Sequence, residues 1–463
     1  MKIKLIRPFF SMDIYKLFGH LPVKREIRNP LGLMILAGIL KKKHDVGIID
    51  GELDGLSIWE IAIKCINSDV VGITCTTPEF KIVDKLVTAI KLYNPSCKVI
   101  LGGPHPTIVP RECLEANEDI DYIVRYEGER TLPELLGNLK HPKGVKGIAY
   151  RDGDNIIVTE DRPLLDDLDQ YDADWESVNP THYLYPFPKE GLVPTANIAG
   201  SRGCVFHCRF CTRLFGNKVR FRTPENIADE MKIIKTAYNI NHFFFYDECF
   251  GLNKEWLVRF MILIAPLDIK FFCMTRANLI TENTICRMKR AGLVKVSLGV
   301  ESGSQEILDR EKKGTTLSQY KKAYNILVEY GIETRGSFIF GHPGETHKTA
   351  RETIEFAKSL KLYRAGFNVM TPYPGIDLLN DEGIEVLSKD YSHYCRWGDS
   401  VVRTKELSPE DLKNYQRTAT KEFYLSPKVL WYHLKQFLSG EHSWYYYRPL
   451  WFALKELFKR RTQ

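Results

Sequence analysis

Short apolar runs alternate with amphipathic helical patterns along most of this 463-residue chain, and the alternation comes in two separate series. In the first, apolar runs at Ile3–Ile6, Val46–Ile49, Val70–Ile73, Val99–Leu101 and Tyr122–Val124 enclose helical stretches such as Leu31–Lys41 and Phe80–Tyr93. Helices of that length are crossovers between parallel strands, so residues 1–140 are predicted to form a doubly wound parallel α/β sheet. The second series starts at Thr195–Ala199 and continues through His242–Tyr246, Phe271–Met274, Val294–Leu298, Glu333–Phe340 and Ala365–Met370, with helical patterns such as Pro224–Tyr238 and Leu317–Gly331 between them. That rhythm predicts a partial parallel (βα)6 barrel over residues 195–400. Residues 141–194 read as a linker, with a hairpin over Gly147–Val158 and then an acidic, Pro- and Tyr-rich run expected to lie in solvent. The region 401–463 reads as a helical tail.

Both architectures bind ligands at the carboxyl ends of their parallel strands, and the polar loops of this chain fall there. In the first series they are Thr74-Cys75-Thr76-Thr77, Gly102-Gly103-Pro104-His105 and Glu127-Gly128-Glu129-Arg130-Thr131. Three such loops in register point to a flat or nucleotide-bearing ligand, and no G-x-G-x-x-G follows the first strand to suggest a dinucleotide. In the second series the strand ends carry Asp247-Glu248, Arg276, Gly299-Val-Glu301-Ser302 and Gly341-His-Pro-Gly-Glu345.

The first barrel strand runs into Cys204-Val-Phe-His-Cys208-Arg-Phe-Cys211. Three thiolates within eight residues suit one soft metal centre, either an iron–sulfur cluster or zinc. His207, inside the loop, is badly placed to be a fourth ligand. The other eight of the eleven cysteines are scattered singly, which describes free thiols in a reducing compartment better than a disulfide framework. The net charge of +7 is mild for this length, and no compact Lys/Arg block calls for nucleic acid. No signal peptide and no apolar run long enough for a membrane span are evident, so a cytoplasmic location is expected.

These motifs resemble those of the cobalamin-binding radical S-adenosylmethionine (SAM) enzymes. In the first series the resemblance rests on Pro30-Leu-Gly-Leu33, Asp50, Val71-Gly-Ile-Thr74, Leu101-Gly-Gly-Pro-His105-Pro-Thr107 and Glu127-Gly-Glu129-Arg-Thr131. In the second it rests on the cysteine loop with Phe210 before its last cysteine, Arg220-Phe-Arg-Thr-Pro-Glu-Asn226, Phe243-Phe-Phe-Tyr-Asp-Glu-Cys-Phe250, Gly299-Val-Glu-Ser-Gly-Ser304 and Phe338-Ile-Phe-Gly-His-Pro-Gly-Glu345. The resemblance implies that Cys204, Cys208 and Cys211 hold a 4Fe–4S cluster whose open iron binds SAM. It further implies SAM contacts at Phe210, Asp247, Glu248, Arg276, Glu301, Ser302 and Gly341, with the acidic pair at the ammonium, Arg276 at the SAM carboxylate or at substrate, Glu301 and Ser302 at the ribose and Phe210 and the Gly341 loop at the adenine. Arg276 and Glu301 are also able to pair with each other. Cobalamin contacts are implied at Thr74, Thr76, Gly102, Gly103, His105, Glu127, Gly128 and Glu129. The family's usual glycine before Glu-Gly-Glu is here Tyr126, and the Asp-x-His-x-x-Gly motif of other cobalamin proteins is lacking.

The activity implied is cobalamin-dependent methylation of an unactivated carbon in a small, hydrophobic or lipid-like molecule, driven by an electron donor such as flavodoxin or ferredoxin. The alternative is oxidation, cyclisation or rearrangement, with cobalamin as redox partner or absent. No side chain stands out as a catalytic acid or base. The tail segments Leu425–Phe437 and Trp444–Phe458 are rich in aromatic and basic residues, as in an interfacial helix making peripheral membrane contact or a cap packed on the barrel.

Overall fold

The computed structural model describes residues 1–9, 26–395, 398–438, 447, 450 and 451. Two sheets organise them. The first takes β1 (Lys2–Arg7), β2 (Asp45–Asp50), β3 (Val70–Thr74), β4 (Lys98–Gly102), β5 (Tyr122–Val124), β6 (Ile148–Asp152) and β7 (Asn155–Val158) in the order β2-β1-β3-β4-β5-β6-β7. β1 to β5 pair in parallel, while β6 and β7 continue antiparallel. The hairpin expected in the linker is therefore part of the first sheet. Apolar side chains on the two faces, such as Val71, Val99 and Leu101 on one and Leu5, Val70 and Ile100 on the other, fill two separate cores beneath the helices.

The second sheet is the predicted half-barrel with one strand more. It takes β8 (Leu184–Phe187), β9 (Gly191–Ile198), β12 (His242–Phe245), β13 (Lys270–Thr275), β14 (Leu293–Glu301), β15 (Glu333–Phe340) and β16 (Arg364–Val369), while β10 (Ser201–Arg202) and β11 (Arg220–Phe221) form a ribbon beside it. All neighbours from β9 to β16 pair in parallel, and β8 closes the edge antiparallel to β9. β8 corrects the solvated-linker expectation: Tyr183, Tyr185 and Phe187 are 1%, 2% and 1% exposed. Tyr185 stacks on Phe244 and Phe272, at ring distances of 5.4 and 5.7 Å, and this aromatic packing inside the barrel outweighs the polar surroundings of the segment. The tail begins with helices Pro409–Tyr424 and Pro427–Leu438, the first packed on β16. Of the expected helix over 444–458, only 447, 450 and 451 are among the described residues. No helix among the described residues is long and apolar enough to cross a membrane.

The two sheets are joined through polar contacts at their strand ends. Asn29 uses both ends of its side-chain amide as a backbone mimic, donating to the Asn197 carbonyl at 3.2 Å and accepting from the Asn197 amide at 2.8 Å. The Tyr183 hydroxyl donates to Asp50 at 2.8 Å. At the end of β5, Glu127 accepts from Arg202 and Arg220 of the ribbon at 2.8 and 2.7 Å and from the Leu165 amide at 2.7 Å. Glu129 accepts from Arg202 at 2.6 Å. Burial alone would raise Glu127, but these hydrogen bonds outweigh it and hold its carboxyl below the ordinary range.

The Arg220 and Glu127 side chains are 4% and 3% exposed, so deleting one partner strands a buried charge. Glu127→Ala is expected to cost about 3–5 kcal/mol in anaerobic urea unfolding, and Glu127→Gln with Arg220→Met to cost less than that single change. A loss below about 1 kcal/mol in Glu127→Ala would contradict the clamp.

Candidate active site

The cysteine loop leaves β9 and is irregular, so its backbone donors need side-chain acceptors. Two carboxylates from the end of β12 supply them. Asp247, 2% exposed, accepts from the Gly200 amide at 3.0 Å and the Ser201 hydroxyl at 2.5 Å. Glu248 accepts from the Gly203 amide at 2.8 Å while remaining exposed. Gly203 has φ +95°, and a side chain there would strike the Lys218 carbonyl. This sharpens the SAM-ammonium expectation: Asp247 is spent on the loop, and Glu248 is the acid that faces solvent.

The loop's two aromatic residues each lie against a cation. Arg276 lies 3.5 Å over the Phe206 ring and donates to Cys208 Sγ at 3.5 Å and to the Lys313 carbonyl. Lys313 Nζ sits 5.5 Å over Phe210 and donates to Glu301 at 2.9 Å. Lys313 is thus the partner of Glu301, and the alternative in which Arg276 and Glu301 pair with each other is not formed. Gly299 leaves room for this pair, since a Cβ there would meet both Glu301 Oε1 and Lys313 Nζ. β14 shifts register between Gly299 and Glu301, and Glu301 takes the left-handed region at φ +70°. A non-glycine residue in that region costs about 1–3 kcal/mol and persists only where its surroundings hold it.

Ser302, expected at a ribose, is fully buried, bonded to Thr353 at 3.2 Å and accepting from the Ser304 amide at 3.1 Å. Its hydroxyl serves the packing of helix His347–Ser359 on the barrel. Gly341 has φ +101° and donates its amide to Glu345. Behind it lies a buried group absent from the expected set: His342 approaches Glu311 at 3.7 Å and packs on Phe210 with rings 5.7 Å apart. Glu311, His342 and Glu345 are each no more than 1% exposed. Nothing in the spacing of these three residues signals their convergence.

The three cysteines line one side of this rim. Cys208 is buried, Cys204 half-buried and Cys211 exposed. Among the described residues no three Cys, His, Asp or Glu side chains converge on one point as around a single ion. A cluster cube binds each thiolate to a different iron and needs only that all three border it. His207 is engaged with Arg213 at 2.7 Å. The soft donor set and the flanking cations Arg276 and Lys313 suit an anionic thiolate cluster.

At the first sheet, the loops after β3 and β4 run side by side, with the Cys75 amide bonded to the Gly102 carbonyl at 2.9 Å and the His105 amide to the Cys75 carbonyl at 3.2 Å. Thr76 is exposed and Thr74, Gly102, Gly103 and Gly128 are half-buried, so these strand ends are open to a ligand. Gly103 makes its turn at φ +96°, where a Cβ would lie 2.9 Å from Thr74 Oγ1. A large corrinoid fits this open edge through backbone and threonine contacts. Glu127 and Glu129 are instead occupied by the ribbon arginines. His105 is fully buried between Phe80 and Tyr391, at ring distances of 4.7 and 4.8 Å, and burial pushes it down to about 4. Tyr126, the departure from the family glycine, has φ +60°, with its amide bonded to Thr107 Oγ1 at 3.0 Å. The left-handed backbone explains why glycine suits that position.

An open parallel sheet with a glycine-lined edge, clamped to a half-barrel that carries a three-thiol loop at its rim, defines a class of enzyme that works with a corrinoid and an iron–sulfur cluster. The chain matches the Radical SAM superfamily over residues 198–357 and the B12 binding domain over residues 26–136. It is 34% identical over 443 residues to an uncharacterized methyltransferase of Pyrococcus horikoshii, covering 93% of this chain and 94% of that protein. It is 30% identical over 449 residues to the anaerobic magnesium-protoporphyrin IX monomethyl ester cyclase of Cereibacter sphaeroides, covering 93% of this chain and 72% of that protein. The radical SAM methyltransferase TsrM from Kitasatospora setae has the same fold, with a TM-score of 0.67 at 16% identity over 92% of this chain and 89% of that one. The chain belongs to the cobalamin-dependent, methyltransferase-like radical SAM enzymes, whose cofactors are a 4Fe–4S cluster, SAM and cobalamin.

The buried Glu345 makes stability depend on pH. Burial raises its carboxyl from 4.5 to about 7, so the folded chain keeps a proton that the unfolded chain has already lost in that interval. Stability therefore falls as pH rises from about 4.5 to about 7. Glu345→Gln keeps the acceptor for Gly341 and is expected to flatten that slope, an effect of roughly 1–3 kcal/mol in urea unfolding across this range. An unchanged slope would show that Glu345 does not titrate there.

Proposed function

We propose that this enzyme transfers a methyl group to an unactivated carbon of a small, largely apolar molecule held between the two strand-end sites. The observation that carries the reading is the joining of the cysteine loop to the open first sheet: Arg202, two residues before Cys204, is bonded to Glu127 and Glu129 at the end of β5. Cofactors bound at the two sites would therefore face a shared space. Bound there, the cluster and SAM supply a 5′-deoxyadenosyl radical and cobalamin supplies a transferable methyl group.

The chain's own residues bind and orient. Cys204, Cys208 and Cys211 would ligate the cluster. Exposed Glu248 would accept from the SAM ammonium, a charge-assisted contact, while Arg276 and Lys313 offer donors to its carboxylate. Glu301, fixed by Lys313, would meet the ribose, and Phe210 and Gly341 would border the adenine. Thr74, Thr76, Gly102, Gly103 and Gly128 would receive the corrinoid. Hydrogen abstraction by a carbon radical needs placement and no protein acid or base, which agrees with a rim whose charged groups are mostly paired.

Anaerobic reconstitution with iron, sulfide and cobalamin, and reduction by flavodoxin or ferredoxin, tests the reading. Wild-type enzyme is expected to yield both 5′-deoxyadenosine and S-adenosylhomocysteine, and each of Cys204→Ala, Cys208→Ala and Cys211→Ala to yield no 5′-deoxyadenosine. Deoxyadenosine without S-adenosylhomocysteine or a methylated product, when substrate is present, would favour the second reading, oxidative cyclisation. The match to a cyclase over 93% of the chain supports that alternative.

A peripheral membrane contact would suit a lipid-like substrate. Helix Pro427–Leu438 leaves Trp431, Leu434, Phe437 and Leu438 at 60%, 46%, 52% and 73% exposed, with Lys435 among them. In liposome flotation, intact protein is expected to float with anionic vesicles, and protein truncated after Ser426 to float at least several-fold less. Equal, negligible flotation of both would remove the membrane contact.

A further inference from the structure

The inner wall of the half-barrel, below the rim, carries charges that the site described above does not use. Strand alternation sends Val296, Leu298 and Val300 outward into the core, so Lys295, Ser297, Gly299 and Glu301 line the inside of β14. The parallel register sets Lys295 beside Phe272 and Glu333, and one row further along sets Ser297 beside Met274 and Arg335, with Arg335 beside Arg364. Ser297 lies four residues before Glu301, which puts this row roughly 13 Å below the rim.

Among the described residues, four cations, Lys295, Arg28, Arg335 and Arg364, gather here with two carboxylates, Glu26 and Glu333. Lys295 is 3% exposed, and its Nζ stands 3.6 Å from Glu333, beyond hydrogen-bond reach, over the rings of Phe272 and Tyr185 at 5.0 and 5.5 Å. Arg364 Nε approaches the same Glu333 oxygen at 3.3 Å, so two cations share one carboxylate. Burial, with Arg364 and Arg335 nearby, lowers Lys295 to about 8, which still leaves it charged at neutral pH. Arg28 reaches in from the first domain, donating to the Tyr246 hydroxyl at 3.0 Å above the Phe244 ring, with Glu26 the second carboxylate near it. Arg335 is half-buried; its guanidinium has no hydrogen bond or ion pair among the described residues and lies 3.7 Å from where a Cβ on Gly366 would lie. Around it Met274, Ser297, Ser337 and Ile339 are half-buried and so border open space.

We infer that the wall around Arg335 and Lys295 binds an oxyanion of the substrate, a carboxylate or a phosphoryl group, and that the substrate is an anionic amphiphile. Arg335 supplies the planar fork that matches such a group in two hydrogen bonds, and Lys295 adds positive charge behind it. Met274 and Ile339, both half-buried, offer apolar surface to the rest of the molecule. A carbon to be attacked at the rim then lies about 13 Å from the anchored anion, so the anion fixes which carbon is presented. This rests on the reading of the rim as a SAM-cleaving site, but the binding it asserts is separable from catalysis.

The test is calorimetric titration of the anaerobically reconstituted enzyme with octanoate, octyl phosphate and octanol, with SAM titrated in parallel. Either anion or both are expected to bind at least tenfold more tightly than octanol, and the tighter of the two identifies the oxyanion. Arg335→Ala and Lys295→Met are expected to weaken that binding at least tenfold while moving SAM affinity less than twofold, and Arg335→Lys to restore part of it. Circular dichroism and cluster absorbance check that each variant is folded and loaded. Equal binding of octanol, unchanged affinity in both variants, or displacement of octanoate by SAM would overturn the inference, the last by assigning these cations to the SAM carboxylate. Failure of the wild-type enzyme to cleave SAM would remove the rim reading and leave the titration standing.

Discussion

The structure depends on carboxylates that hold an irregular loop in place. A loop presenting three thiols cannot satisfy its own backbone donors through regular pairing, and leaving them bare in a buried place is costly. Asp247 and Glu248 take the donors of Gly200, Ser201 and Gly203. Glu127 and Glu129 take the arginines on either side, Arg202 before the cysteines and Arg220 after them. The second pair comes from the other domain, so the same bonds that shape the loop fix the angle between the two sheets. Removing charge at this junction would disturb loop geometry and domain placement together.

A second layer of the design sets charge against the loop's aromatic rings. Arg276 under Phe206 and Lys313 under Phe210 give the loop two rigid footings, each a cation on a π face. Lys313 is also tied to Glu301, and Glu301 is held in a left-handed backbone that the strand shift at Gly299 makes necessary. The groups expected to read SAM therefore come with their own supports, and Glu248 and Cys211 are the exposed groups beside them. The family glycine motif follows directly, since Gly299 is the space in which the Glu301–Lys313 pair sits.

Much of this was legible in the sequence because it is periodic. The strand and helix rhythm placed the parallel strands, and the cysteine loop, Asp247-Glu248 and Glu301 all fell at strand ends as expected. What escaped has physical reasons. β8 is flanked by prolines and acids and reads as linker, yet stacking of Tyr185 on Phe244 and Phe272 holds it in the barrel. Lys313 stands in a loop twelve residues beyond Glu301, and no local pattern announces a partner at that distance. Ser302 follows a residue with φ +70° at the end of β14, and its hydroxyl goes to Thr353, so a neighbour in sequence ceases to be a neighbour in the site. The resemblance implies cofactor contacts at Glu127 and Glu129, and only the packing of the second domain shows that their carboxylates serve the arginines.

The inside of the barrel adds a constraint that motifs do not express. On β14 the outward residues are uniformly apolar, and the inward ones run from Lys295 through Ser297 and Gly299 to Glu301. One strand thus carries a cationic floor and, at the rim on the same face, a carboxylate already paired with Lys313. A substrate with an anionic end is oriented by such a field, because reversing it would strand the lysine and arginine below. A radical formed at the rim abstracts whichever hydrogen lies nearest, so selectivity has to come from position. In this fold, position along the bore is set by the distance between two charged rows of the sheet, and the choice of carbon becomes a property of strand length and register.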